Sequence, residues 1–393
     1  MVDVRVVFDA GSARDGEHAG LASLTNQMLS QGAANLDADG IAARFDSLGA
    51  QFGASSLRDM AVLSLRSLTE PKLLQPALAT LADIVQRPTF PANALSRERK
   101  QVLVALRDEE QSPDAVAAKA FYAALYPDYP YGTPELGTAA SVKGLTRAEL
   151  RDFYRRYYVA RNAVVAIVGD VDRAQAAVLA ERIVGGLPAG DAAPVLPAVP
   201  TLTQAHTITR EFPATQTTIL VGQPGMRRGD PDYFALYVGN HILGGSGFGS
   251  RILKNIREDR GLAYSAYSYF MPMRQDGPFI MGLQTRTKEA GAAHRLLLQT
   301  LRDFVAQGPT AAELQHAKEN ITGGFPLRIA SNKNIVEYLA MIGFYHLPLD
   351  YLDQFNARVE AVTAAQVRDA FQRRVHPDRL VTVVVGRDAA SAQ

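Results

Sequence analysis

Much of this sequence is written twice. Residues 151–170, RDFYRRYYVARNAVVAIVGD, return without a gap as residues 368–387, RDAFQRRVHPDRLVTVVVGR. Arg151, Asp152, Arg156, Val164, Val168 and Gly169 match Arg368, Asp369, Arg373, Val381, Val385 and Gly386, an offset of 217 residues. The beginnings of the halves align at an offset of 214, Gly11 with Gly225, Asn26 with Asn240 and Leu48 with Leu262. A period this long means a duplicated domain rather than a solenoid of short repeats. Each repeated segment reads as a helix, a short turn, a β-branched strand and a glycine.

Residues 188–200, PAGDAAPVLPAVP, have neither helical nor strand period and are expected to be extended. The expected organisation is a first domain over residues 1–187, a linker over 188–200 and a second domain over 201–393. In the first half the pattern predicts strands at 2–8, 60–67 and 163–169, and helices at 71–87, 92–111, 115–126 and 146–158. In the second it predicts the strand TTILVGQP, strands at 264–270, 278–286 and 379–385, and helices at 231–243, 248–258, 289–307, 310–322, 332–346, 351–357 and 363–374. Strands separated by helix pairs indicate an α+β fold, with helices packed on one face of each sheet.

Composition removes several function classes. A net charge of +1 creates no global field for nucleic acid or an anionic membrane. The chain has no cysteine, which excludes disulfides, thiolate metal sites and a cysteine nucleophile. No apolar run reaches the roughly 18 residues of a membrane span. The chain opens directly on the strand VDVRVVF. That start leans toward an exported, periplasmic protein whose leader is absent, with a cytoplasmic protein as the alternative.

Local motifs offer little chemistry by themselves. The seven histidines lie at least 22 residues apart, so the helical pair that grips zinc is absent. Residues 244–251, GGSGFGSR, lack the GK[ST] of a P-loop and the spacing of a serine-nucleophile elbow, and read better as a flexible loop beside a groove. Glu109 and Glu110 read as a solvated helix end. The most informative stretch is residues 248–270, FGSRILKNIREDRGLAYSAYSYF. Its amphipathic helix buries Ile252, Leu253 and Ile256, stops at Gly261 and leads into a tyrosine-rich strand. Arg257 and Tyr264, seven residues apart, fall where a helix end and a strand start can aim both into one space. A guanidinium and a phenol together make an oxyanion-stabilising pair. By residue type alone, a helix-terminal arginine and a strand tyrosine are ordinary surface residues.

GSRILKNIREDRGLAYS resembles the second-domain pattern of the M16 metallopeptidases, the family of pitrilysin, insulin-degrading enzyme and the mitochondrial processing peptidase. The duplication, linker and size agree along essentially the whole chain. The resemblance implies two homologous domains, each a mostly antiparallel sheet packed against helices (M16 or LuxS-metallohydrolase-like), forming half of a clamshell. Active family members carry HxxEH on a first-domain helix. The aligned stretch here is GLASLTNQM, where Ser23 and Gln27 replace the histidines and Asn26 the catalytic glutamate. The distal glutamate position falls on Ala105 in ERKQVLVALRDEE. Leu21, Leu24, Met28 and Leu29 keep the core stripe of that helix.

The resemblance therefore implies a chain without metal of its own, the non-catalytic subunit of a heterodimeric zinc peptidase. Its partner would be an HxxEH-bearing subunit that holds the zinc, and its substrates unfolded peptides. Arg257 and Tyr264 would reach the substrate carbonyl in the partner's site, and Gly244, Gly245 and Gly247 would contact peptide. The alternatives are an inactive structural or assembly protein of the same fold, and a self-sufficient enzyme or peptide-binding module.

Overall fold

The computed structural model describes residues 1–387 and 389. The chain forms two compact units. The first comprises Met1–Arg107, Thr133–Val195 and Leu327–Leu349; the second comprises Asp108–Gly132, Leu196–Pro326 and Asp350–Gln393.

The strands of the first unit are β1 (Val2–Phe8), a small ribbon of β2 (Gly32–Ala33) and β3 (Leu36–Asp37), β4 (Gln51–Ser56), β5 (Ala61–Ser67) and β6 (Ala163–Gly169). The main sheet has the order β4-β5-β1-β6 and is antiparallel throughout. Val6 sits between Leu63 and Val165 in register. β1 is apolar on one face, Val2, Val4, Val6 and Phe8, and carries Asp3, Arg5 and Val7 on the other. Val2, Val4, Val6 and Phe8 enter the main core with Leu24, Met28 and Leu63. Val7 points the other way, into a cluster with Val62, Val336, Ala340 and Phe344. Those last three belong to the helix Asn332–Phe344, from the second half of the sequence. Arg5 on the same face pairs with Glu337 at 3.1 Å. Helices thus cover both faces of this sheet, where the sequence pattern predicted one.

The second unit holds β7 (His206–Glu211), β8 (Gln216–Met226), β9 (Ala263–Phe270), β10 (Gly277–Arg286) and β11 (Val381–Gly386), in the order β7-β11-β8-β10-β9. The order β11-β8-β10-β9 reproduces β6-β1-β5-β4, so the sequence duplication is also a duplication of topology. β7 is an addition, parallel to β11. The helix Pro113–Leu125, from the first half of the sequence, packs on β8 and β11. It approaches closely at Gly222, where a Cβ would lie 2.8 Å from the Phe121 ring.

The helices Pro113–Leu125 and Asn332–Phe344 occupy equivalent places in the two sequence halves and are exchanged between the units. The units therefore differ from the contiguous spans 1–187 and 201–393. Periodicity locates a helix but does not say which sheet it covers. The units divide at Val195 and Leu196, inside the Pro/Ala stretch, which has no regular secondary structure. Its first part is tied down in the first unit, where Ala193 N donates to Asn162 Oδ1 at 2.7 Å. Its second part is tied in the second unit, where Tyr129 and Gln275 donate to the carbonyls of Pro197 and Leu196, each at 2.8 Å. Among the described residues no helix is long and apolar enough to cross a membrane.

Candidate functional site

The helix Leu21–Met28 begins at Gly20, whose φ of +89° suits a residue without a side chain. Asp15 satisfies its first turn, accepting from Gly20 N at 2.8 Å and Ala22 N at 2.7 Å. Burial pushes the Asp15 carboxyl up to about 7, against the pull of those two donors. Leu21, Leu24 and Met28, with Leu29 just beyond, form the buried stripe.

Three polar residues of this helix, Ser23, Asn26 and Gln27, have hydrogen-bond partners within the protein. Gln27 Nε2 donates to Ser23 Oγ at 3.3 Å. Asn26 is buried, and its Oδ1 accepts from Tyr158 Oη at 3.3 Å. Burial, with Tyr154 nearby, raises the Tyr158 phenol above its ordinary value and keeps it a donor. Ala105 lies half-buried on the helix Ala92–Glu110 and offers a methyl group. A hydroxyl, two amides and a methyl do not fit the nitrogen, thiolate and carboxylate donors that zinc takes. None of the four is a general base for water. Among the described residues no group of three or more His, Cys, Asp or Glu is placed to hold a metal ion.

Arg257 and Tyr264 do come together. The guanidinium carbon of Arg257 lies 4.7 Å from the centroid of the Tyr264 ring, within cation–π range. The segment carrying Arg257 departs from the regular helix predicted over 248–258. Its α-helical part is only Arg251–Leu253, followed by a π turn over Lys254–Glu258. A π turn inserts a residue into the helical ladder and is frequent at functional sites. Ile252, Leu253 and Ile256 are buried as the amphipathic pattern required, while Arg257 is only half-buried. Gly261 closes the turn at φ +60°, donating to Arg257 O at 2.9 Å.

Tyr264 owes its position to a β-bulge. Gln284 of β10 pairs with Ser265 and Thr285 with Ala263, so Tyr264 is the extra residue. A bulge re-aims a side chain, and Tyr264 stands 79% exposed beside a strand whose Ala263 and Ala266 are buried. The bulge has no local sequence signature, because it depends on pairing with β10, distant in sequence.

Two further contacts, missed from sequence, hold this segment. Arg251 forks onto Glu313 through bonds of 2.6 and 2.7 Å and donates to Gly308 O at 3.0 Å. Burial works to raise the Glu313 carboxyl, but Arg251 and Thr310 outweigh it and hold it at about 2. Behind β9, Asn240 and Ser268 are joined by hydrogen bonds. The Asn26–Asn240 correspondence of the repeat was the available signal for Asn240.

The three glycines fall into different roles. His241–Gly245 is a second π turn, continuing the helix Tyr233–Asn240, and Gly247–Gly249 is a 3-10 turn. Gly244 is buried, and a Cβ there would lie 2.4 Å from Ser268 Oγ, so it is a packing glycine. Gly245 is exposed but backs onto Asn240. Gly247, at φ +66° with open space around it, forms the exposed tip. The stretch predicted as a flexible loop is largely wound into these turns.

Comparison with known proteins agrees with this architecture. Residues 1–139 match the family model described as insulinase, peptidase family M16, and residues 144–321 match that of the peptidase M16 inactive domain. The crystal structure of a peptidase M16 inactive domain from Pseudomonas fluorescens is 39% identical, with a TM-score of 0.95, over 98% of this chain and 93% of that one. A Bacillus subtilis protein described as the uncharacterized zinc protease YmxG is 27% identical over 80% of this chain and 76% of its own length. A Helicobacter pylori protein described as the non-peptidase homolog YmxG is 26% identical over 95% of this chain and 86% of its own. With both halves matched, this chain belongs to peptidase family M16, as a protein that carries that family's inactive-type domain.

Proposed function

We propose that this chain is the non-catalytic subunit of a heterodimeric M16 zinc peptidase. It binds unfolded peptide and supplies Arg257 and Tyr264 to the site of an HxxEH-bearing partner, which holds the zinc. The observation that carries this reading is the Arg257–Tyr264 pair: a half-buried guanidinium against an exposed phenol, set by a π turn and a bulge. The chemistry asked of the pair is hydrogen-bond donation to the carbonyl oxygen of the scissile bond, where negative charge develops. A guanidinium and a phenol each offer hydrogen-bond donors to such an oxygen.

Such a pair gains most in a water-poor site, where fixed donors are worth more than in water. The exposed ring of Tyr264 fits a residue awaiting a peptide and a second subunit. Peptide hydrolysis and bound zinc, measured on this chain alone and mixed with an HxxEH subunit from the same organism, test the reading. Zinc and activity confined to the mixture support it. Zinc and activity in this chain alone overturn it.

A further inference from the structure

Leu262 is tied on both sides. Its N–H donates to Ile256 O, in the π turn Lys254–Glu258, at 2.9 Å. Its carbonyl accepts from the hydroxyl of Thr285 on β10. Ile256 precedes Arg257 in sequence, and Tyr264 lies two residues past Leu262. A single residue therefore joins the turn that carries Arg257 to the bulge that carries Tyr264.

The tie falls where the sheet itself gives least support. Thr285 pairs with Ala263 and Gln284 with Ser265, so the ladder skips Tyr264. A bulged residue is left out of the pairing that fixes its neighbours. The Tyr264 ring is exposed, so core packing does not hold it either. Its place is set by the backbone that leads into it, and Leu262 is part of that backbone.

Thr285 is also an unusual choice for its position. It is 2% exposed, on a strand whose residues Gly277–Leu283 are all buried. Valine has nearly the same shape and buries without a polar group. A hydroxyl in such a place costs free energy unless it is bonded, and the Leu262 carbonyl supplies that bond.

We propose that Thr285 is a positioning residue, which acts through Leu262 to hold the Tyr264 hydroxyl in its place beside Arg257. The proposal rests on the reading of Arg257 and Tyr264 as donors to the scissile carbonyl. Donors aimed at developing charge act by being fixed before the reaction begins. A misplacement of about 1 Å can cost ~10²-fold in rate.

The test is turnover by the assembled heterodimer carrying Thr285→Val, Thr285→Ser, Tyr264→Phe, or Thr285→Val with Tyr264→Phe. Thr285→Val is expected to lower kcat about tenfold with KM unchanged. Thr285→Ser keeps the hydroxyl and should stay within about twofold of wild type. Tyr264→Phe removes the group that Thr285 positions, so adding Thr285→Val to it should cost nothing further, a coupling that a merely structural role would not show. Thermal melts verify folding, and Thr285→Ala, which also lacks the hydroxyl, takes the place of the valine variant if that one does not fold. If Tyr264→Phe lowers kcat and Thr285→Val does not, the positioning role is overturned and the pair stands. The same holds if Thr285→Val costs as much on top of Tyr264→Phe as it does alone. An unchanged kcat in Tyr264→Phe overturns the reading of the pair and this proposal with it.

Discussion

Asn240 and Ser268 clasp each other at two points: Asn240 Nδ2 donates to Ser268 O at 3.0 Å, and Ser268 Oγ donates to Asn240 Oδ1 at 2.7 Å. Both residues are buried, and the clasp fastens β9 to the end of the helix Tyr233–Asn240, where the π turn His241–Gly245 begins. Asn240→Ala leaves a hydroxyl and a carbonyl without these partners in the core. The expected cost is about 1–3 kcal/mol, read as a lower urea midpoint. Ser268→Ala removes only the hydroxyl bond and should cost less. Equal midpoints for wild type and Asn240→Ala would mean the clasp carries no net stability.

The Arg251–Glu313 fork makes the segment acid-sensitive. The Glu313 carboxyl is lowered from its ordinary 4.5 to about 2 in the folded chain. Its stabilisation is therefore complete above about 4.5 and is lost as pH falls toward 2. The stability gap between wild type and Glu313→Gln should be constant above pH 5 and narrow below it. A gap of the same size at pH 3 and pH 7 would contradict the assignment.

Asp15 acts with the opposite sign. Its carboxyl rises from 3.8 to about 7 on folding, so the folded chain binds more protons than the unfolded one between those values. The group's contribution to stability falls as pH rises through that window and is level above it. The melting temperature of Asp15→Asn relative to wild type should climb from pH 4 to pH 7 and then stay flat. A difference independent of pH would show that Asp15 titrates normally.

The alternating and β-branched runs placed most strands of the sheets, and the stripe Leu21, Leu24, Met28, Leu29 correctly marked a core helix. Two edge strands escaped. QFGASS and HTITRE, now β4 and β7, are largely polar because each has a neighbour on one side only. The exchange of Pro113–Leu125 with Asn332–Phe344 was also illegible, since an apolar helix face does not name the sheet it will cover. Arg257 and Tyr264 were found through the family pattern, and residue type alone would not have chosen them. Their geometry depends on a π turn and on a bulge opposite Gln284 and Thr285, and that bulge lies beyond the reach of local sequence.

The most direct measurement is turnover by the assembled heterodimer carrying Arg257→Ala or Tyr264→Phe, with dimer formation followed by sedimentation. Tyr264→Phe keeps the ring against Arg257 and deletes only the hydroxyl. The expected result is an intact dimer whose kcat falls by about 10²–10³ for the arginine change and by a comparable factor for the tyrosine change. An intact dimer with unchanged kcat would contradict the placement of this pair in the partner's site and leave the chain a scaffold.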